Sequence, residues 1–298
     1  MDKSPAAVTE RYVHALMVLL AAFLFVVTVV TSFWGGFPTS ISAYHSGAAR
    51  DVFVGTLVAI AACLVACQGR SPLEDFALNA AGFYVAFVAL IPTELPDILK
   101  EAPLVASQTM PNMTLTQIQQ DFVRYLQVAV GGLILTCLLV LVAEWRRGDI
   151  RVLWTSGDGP KALMVGSVVV LPVFLGLCFK QLYFDRPVVL DGLKVLSWHL
   201  PIHFMAAVLF IISLAVAVAS RAWPGQAQEW AVVVPDLNRG VYKAIVAAMT
   251  LGALLVAAIT YVVWPGHVIL VLEWWEVALF IAFWVRDYLG SRALPDGG

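Results

Sequence analysis

Apolar residues run along this chain in long blocks, not at the interval of a single amphipathic face. Tyr12–Trp34 is almost wholly aliphatic and aromatic, and seven more blocks follow: Val52–Cys67, Phe76–Thr93, Leu126–Trp145, Leu163–Phe179, His199–Ser220, Val241–Trp264 and Val268–Tyr288. A bilayer core needs about 20 apolar residues of helix, or about 17 with anchoring residues at the ends. The pattern therefore predicts an all-α polytopic bundle of about eight transmembrane helices, a single domain covering residues 1–298. The second, third and fifth blocks are the marginal ones, and Pro172 falls inside the fifth. Six or seven spans follow if one of these is re-entrant.

Composition agrees with the pattern. Of 298 residues, 61% are hydrophobic and 13% charged, against roughly 45–50% and about 25% in soluble domains. Soluble, disordered and fibrous classes are excluded. The net charge of −2 leaves no basic excess to neutralise a nucleic-acid backbone. The N-terminal block is too long for a signal peptide and lacks a small-residue cleavage site, so it reads as a retained first span. Cys63, Cys67, Cys137 and Cys178 lie in or at the ends of apolar blocks. Cys63 and Cys67 share a helical face, but no second pair completes a metal site, and all four read as small buried residues.

With eight spans and a cytoplasmic N-terminus, twelve of the 18 Lys and Arg residues fall on the inner side. That bias predicts both termini in the cytoplasm of a cell inner membrane. The external loop 94–125 ends in a stretch that Thr114 would cap, with Ile118, Phe122 and Tyr125 on the apolar face of a surface helix running into the fourth span. Asn112-Met113-Thr114 matches a glycosylation sequon. The inner loop Arg146–Lys161 is basic and turn-rich, an ordinary positive-inside loop within reach of lipid headgroups. Trp223 and Trp230 suit an interfacial belt.

Polar candidates gather on the outer side in this threading. His45, His199, His203 and His267 fall there with Asp51, Asp185, Asp191, Glu273 and Glu276, while His14 is inner. Ionisable residues at membrane depth usually face a protein interior or a cavity, which makes Asp51, His203 and Glu276 candidates for one polar pocket. His199 and His203 are spaced i, i+4, as two helical metal ligands would be, although Pro201 between them suits only a helix start. Glu273 and Glu276 are spaced i, i+3 on one face. Arg50 and Asp51 open the second span, as an ion pair, as Arg50 on a headgroup with Asp51 turned inward, or with Asp51 as a helix cap. Plainer roles compete: His199 at the interface, His267 in a turn, Trp274, Trp275 and Trp284 as packing anchors. The inner halves of the spans read as nearly free of ionisable groups apart from Glu144.

Two resemblances follow from these residues. SISAYHSGAARDVFVGTL, then LNAAGFYVAFVALIPT, with His203-Phe204, Asn238-Arg239-Gly240-Val241-Tyr242 and Glu276…Trp284, resembles a family of functionally uncharacterised bacterial multi-pass membrane proteins. His45 stands where that family usually has a second tyrosine. The resemblance implies a site from Ser42, Tyr44, Arg50, Asp51, His203 and Glu276, and no activity. Ser42-Ala43-Tyr44-His45, Asp51 and His199…His203 are also similar to the zinc-binding parts of ceramidase and adiponectin-receptor-like hydrolases, with the serine-to-histidine spacing one residue short and the cluster facing outward.

Three functions compete. The expectation is a non-catalytic component of a membrane complex or scaffold, in contact with membrane lipids and a protein partner within the membrane, and not with nucleic acid. Phe280, Phe283 and Trp284 form an aromatic stripe expected to pack inside the bundle. The second is a metal-dependent membrane lipid hydrolase, with zinc on His45, His199 and His203 and with Asp51 or Glu276 as general base. The third is a small-solute or proton-coupled transporter using Asp51, His203 and Glu276.

Overall fold

A computed structural model of the chain describes residues 5–45, 49–93, 95, 99, 115–147, 158–185, 188, 190–195, 198–223 and 236–293. Helices dominate them. α1 is Pro5–Gly35 and leads to a 3-10 turn, Ile41–His45; α2 is Arg50–Ala66 and α3 Pro72–Leu90. α4 is Leu115–Arg147 and α5 Asp158–Tyr183, followed by a hairpin of β1, Leu193–Val195, and β2, Trp198–Leu200. α6 is Ile202–Ala222. α7, Asp236–Ala247, continues through a π-turn, Ala248–Gly252, into α8, Ala253–Val263, and α9 is Val268–Ala293. Among the described residues, seven helical stretches are long and apolar enough to cross a membrane, the signature of a multi-pass membrane protein. α2, at 17 residues, is shorter than these.

α1 shows why the class is a membrane one. Tyr12, Leu16, Leu19, Phe23, Val26, Val30 and Phe33 form its exposed stripe, and His14, Met17, Ala21, Leu24, Thr28 and Ser32 its buried one. A helix at a water-facing surface puts polar residues on the outward stripe. Here the outward stripe is the more apolar, and three of the buried positions are polar.

The chain divides into two compact units, Met1–Val85 with Leu209–Gly298, and Ala86–Val208. In the first, α1 packs chiefly along α9 and against α2, and α8 packs along α9. The π-turn frees a carbonyl from the helical ladder, and Trp275 Nε1 donates to Ala248 O at 3.0 Å. Gly252 makes room for that indole: a Cβ there would lie 3.1 Å from Trp275 Cζ2.

In the second unit, Gln127 Nε2 on α4 donates to Leu182 O at 2.8 Å, and Tyr183 OH donates back to Gln127 O at 2.6 Å. Gln181 grips the hairpin from both sides, donating to Gly192 O at 2.7 Å and accepting from Gly192 N at 2.8 Å. Phe87 and Phe174 meet edge to face.

Two boundaries differ from the block pattern. The surface helix expected before the fourth span is the beginning of α4 itself, because the polar residues of Leu115–Tyr125 do not interrupt its helical hydrogen bonds; its cap Thr114 and the sequon lie outside the described residues. The sixth span starts at Ile202, not His199. Pro201 has no N–H to continue a helix backwards, its carbonyl accepts the Met205 amide at 2.9 Å, and the residues before it pair as a hairpin, Lys194 opposite His199.

Gly192 has φ +71°, and a Cβ there would lie 1.8 Å from Leu200 O. Gly192→Ala is expected to destabilise the protein by about 2 kcal/mol or more, read as a lower melting temperature in detergent. Gly132→Ala, with open space around its Cβ in the middle of α4, is expected to raise it slightly.

Candidate functional site

Two polar clusters stand out in the first unit, at opposite ends of α1 and α9. The first begins with a helix start. Ser71-Pro72-Leu73-Glu74 has the form of a capping box with proline at the first helical position. Ser71 Oγ accepts the Glu74 amide at 3.2 Å, and Glu74 Oε2 accepts the Arg70 amide at 3.1 Å. Asp75 Oδ1 accepts the Gly69 amide at 2.8 Å. The cap aims the other oxygen of Glu74 at Arg221, in the last turn of α6, where a cation suits the helix dipole. Arg221 Nε donates to Glu74 Oε1 at 2.7 Å, Nη2 donates to the same oxygen, and Nη1 donates to Asp287 Oδ1. Arg70 Nη2 donates to Asp287 Oδ1 at 2.5 Å. Arg221 is 3% exposed, and Glu74 and Asp287 are fully buried. Two guanidinium groups therefore meet two carboxylates with no net charge. The guanidinium of Arg221 also lies 4.9 Å over the Phe283 ring and 5.7 Å over that of Tyr242, where ring faces attract cations.

His14 extends this cluster. It is buried, with Nδ1 3.1 Å from Asp287 Oδ2. That is ion-pair range, but the two atoms are not aligned as a hydrogen bond. Its Nε2 lies 3.4 Å from Cys67 Sγ and 4.0 Å from Glu10, and Trp284 packs on the ring at 5.2 Å. In the threading expected from the loop charges, this cluster lies at the end of the spans read as nearly free of ionisable groups. Glu74 and Asp287 fall just outside or at the edge of the apolar blocks, and burial there is set by partners far along the chain. The capping box was the legible signal.

The second cluster surrounds Glu273 on α9. Its carboxylate accepts Ser40 Oγ at 2.9 and 2.8 Å, the Ile41 amide at 2.5 Å and Ser42 Oγ at 3.3 Å. It thereby binds the 3-10 turn to α9. Leu270 N donates to Thr39 O at 3.1 Å, and His267 Nε2 donates to Phe37 O at 3.3 Å. Tyr44 turns the other way, to Ser32 Oγ at 2.8 Å and Thr28 O at 3.1 Å on α1, and Trp274 Nε1 donates to Thr28 Oγ1 at 3.2 Å.

Ser42 and Glu273 meet, and Tyr44 is buried beside them in sequence but bonded to α1. His45 is buried, edge-on to Phe53 at 5.1 Å. Glu276 Oε2 is buried and has no hydrogen-bond partner among the described residues. Asp51 does not turn inward: its side chain is 97% exposed, 3.9 Å from Arg50, which is 54% exposed. Nor does it cap α2, whose N-cap is Ala49 without a side-chain bond. In the second unit, His199 is exposed on β2 and off the helix, so the helical pairing with His203 fails. His203 is buried, with Nδ1 donating to Ile91 O at 2.5 Å. Among the described residues, no three His, Cys, Asp or Glu side chains are grouped to hold a metal ion. His267 lies in the turn before α9, stacked on Trp264 at 4.1 Å. Phe280, Phe283 and Trp284 are buried as packing residues.

Compared with protein-family models, with curated proteins and with solved structures, the chain matches none.

Removing one partner of a buried ion pair strands the other. Arg221→Met is expected to cost about 3–5 kcal/mol, and adding Glu74→Gln and Asp287→Asn to it to recover most of the loss, both read by thermal unfolding in detergent. Glu273→Ala strands three donors and is expected to cost about 2–4 kcal/mol, whereas Asp51→Ala at the exposed end of α2 changes the melting temperature little.

Proposed function

We propose that this protein is an eight-span protein of the cytoplasmic membrane, with α2 as its short second span and both termini in the cytoplasm. We further infer that it serves as a non-catalytic component of a membrane complex or scaffold. The observation that carries this reading is how its polar groups are used. Glu74, Asp287, Arg70 and Arg221 neutralise one another, and Glu273 is occupied by two hydroxyls and an amide. These groups fasten helix ends together, and three donors from the 3-10 turn segment crowd the Glu273 carboxylate. Membership of the uncharacterised bacterial family fits the same reading, since Ser42 and Tyr44 of the shared stretch are its structural contacts.

A second reading, a proton-coupled or small-solute transporter, draws on one observation: the buried Glu276 Oε2 without a hydrogen-bond partner among the described residues. The hydrolase reading has no comparable support, with Asp51 exposed and His199 on a strand.

Orientation is tested by cysteine labelling in a cysteine-free background. An impermeant maleimide is expected to reach position 50 in intact cells and position 243 only after permeabilisation; the reverse overturns the topology. Proteoliposomes of the purified protein are expected to show no proton flux with an enclosed pH dye. A flux lost in Glu276→Gln overturns the scaffold reading in favour of the transporter.

A further inference from the structure

The ion pairs at the Arg221 end of the first unit balance without His14. Arg70 and Arg221 carry two positive charges, Glu74 and Asp287 two negative ones. Both guanidiniums reach Asp287 through Oδ1. Its Oδ2 accepts no hydrogen bond among the described residues. Facing it at 3.1 Å is His14 Nδ1, equally without a hydrogen-bond partner there. Two buried polar atoms this close, both unsatisfied, mark a place where a proton decides what the contact is worth.

The ring lies where several elements meet. Glu10 on α1 is 4.0 Å from Nε2 with its side chain half exposed. The thiol of Cys67, at the end of α2, is 3.4 Å from the same nitrogen. Asp287 comes from α9, Arg70 from the α2–α3 turn, Arg221 from α6 and, through Arg221, Glu74 from α3. A neutral imidazole has one donor and one acceptor. With its proton on Nδ1 it turns a donor to Asp287, and Nε2 is left to accept from the Cys67 thiol. An imidazolium has two donors and a full charge. It sets a third cation against a carboxylate that two guanidiniums already share, and it turns an N–H on the thiol proton. Glu10 offsets little of this from 4.0 Å with its side chain half in water.

We propose that His14 is a proton-operated latch between α1 and this cluster: neutral, it lets the cluster close, and protonated, it drives Arg70 off Asp287 and frees the α2–α3 turn. Arg70 is the cation that yields because its side chain is 25% exposed, against 3% for Arg221, so water replaces its carboxylate at less cost. Arg221 keeps its hold on Glu74. The proton enters by way of Glu10, which faces the ring from α1 and is itself half exposed. Cys67 is three residues before Arg70 and buried in the closed cluster, so a turn that lifts away uncovers its thiol. The latch goes beyond the scaffold and transporter readings and depends on neither.

Cys67 reports the state of the turn. Cys63, Cys137 and Cys178 are replaced by alanine, and the purified full chain in detergent is treated with a dithiodipyridine, which reacts with thiols in acid as well as at neutral pH. Each rate is divided by that of free cysteine at the same pH. Between about pH 7.5 and about pH 5, the range in which an imidazole titrates, the relative rate with His14 in place is expected to rise about tenfold. His14→Gln, which keeps a polar side chain but takes up no proton, is expected to give one relative rate at both pH values. The ratio and not the rate is the reading, so a variant that is looser throughout still decides the question. Glu10→Gln removes the carboxylate facing Nε2 and is expected to enlarge the rise, whereas Asp51→Asn, at the far end of α2, is expected to leave it unchanged. A relative rate that does not rise in acid overturns the latch. So does a rise of equal size in His14→Gln, which assigns the acid response to Glu74 or Asp287 instead.

Discussion

The grip of Arg221 on Glu74 and Asp287 is the constraint around which the first unit is arranged. One guanidinium joins the end of α6 to the start of α3 and the last turns of α9. Arg70 and His14 add the α2–α3 turn and α1. Each ion alone, buried this far from water, costs several kcal/mol. The cluster tolerates burial because its charges cancel and because nearly every donor has an acceptor. That makes it more a device of specificity than a source of stability. Helices with apolar residues all round slide and rotate against one another at little cost, whereas a planar fork shared by two carboxylates admits one register.

At the other end of α9 the same difficulty is met without a counter-charge. Glu273 draws its hydrogen bonds from hydroxyls and a backbone amide of the segment joining α1 to α2. A carboxylate so surrounded behaves as a buried acceptor. Its consequence is local: Ser40, Ile41 and Ser42 are held against α9, and Tyr44 is left to reach back to Ser32 and Thr28. The motif that reads in sequence as a ligand-binding stretch is, in the fold, a tether.

Legibility in the sequence follows from what each signal depends on. The apolar blocks depend only on local composition, so the helices they mark are found within a few residues, and Pro201 marked the start of α6. The boundaries that moved did so where polar residues stay helical, as in the first turns of α4. The pocket was harder to read. Ser42 and Glu273 were named, but Asp51 was drawn into the site by sequence nearness to the tyrosine motif, while its position at the start of α2 leaves it outside. His199 was assigned by helical spacing to a residue that is on a strand. Glu74 and Asp287 were passed over because they sit at the edges of the blocks, and whether such a residue is buried depends on what another helix, tens of residues away, places beside it. The Ser71–Glu74 capping box was the local clue, and it marks a helix start without saying what Glu74 will meet.

The length of α9 explains why both ends need such care. Glu273 and Asp287 are 14 residues apart, close to four whole turns, so they share a face and stand roughly 21 Å from each other along the axis. A hydrocarbon core is about 30 Å thick. A helix crossing it with these two carboxylates on one inward face therefore holds both at or below the edges of the core, where water is scarce and an unsatisfied acceptor is costly. Each must bring its donors from protein, and the donors available differ: a loop rich in serine at one end, two arginines at the other. Arg286 precedes Asp287 by one residue, about 100° around the helix. It stands at the same depth on another side of the helix, while the donors to Asp287 come from Arg70 and Arg221, far away in the sequence.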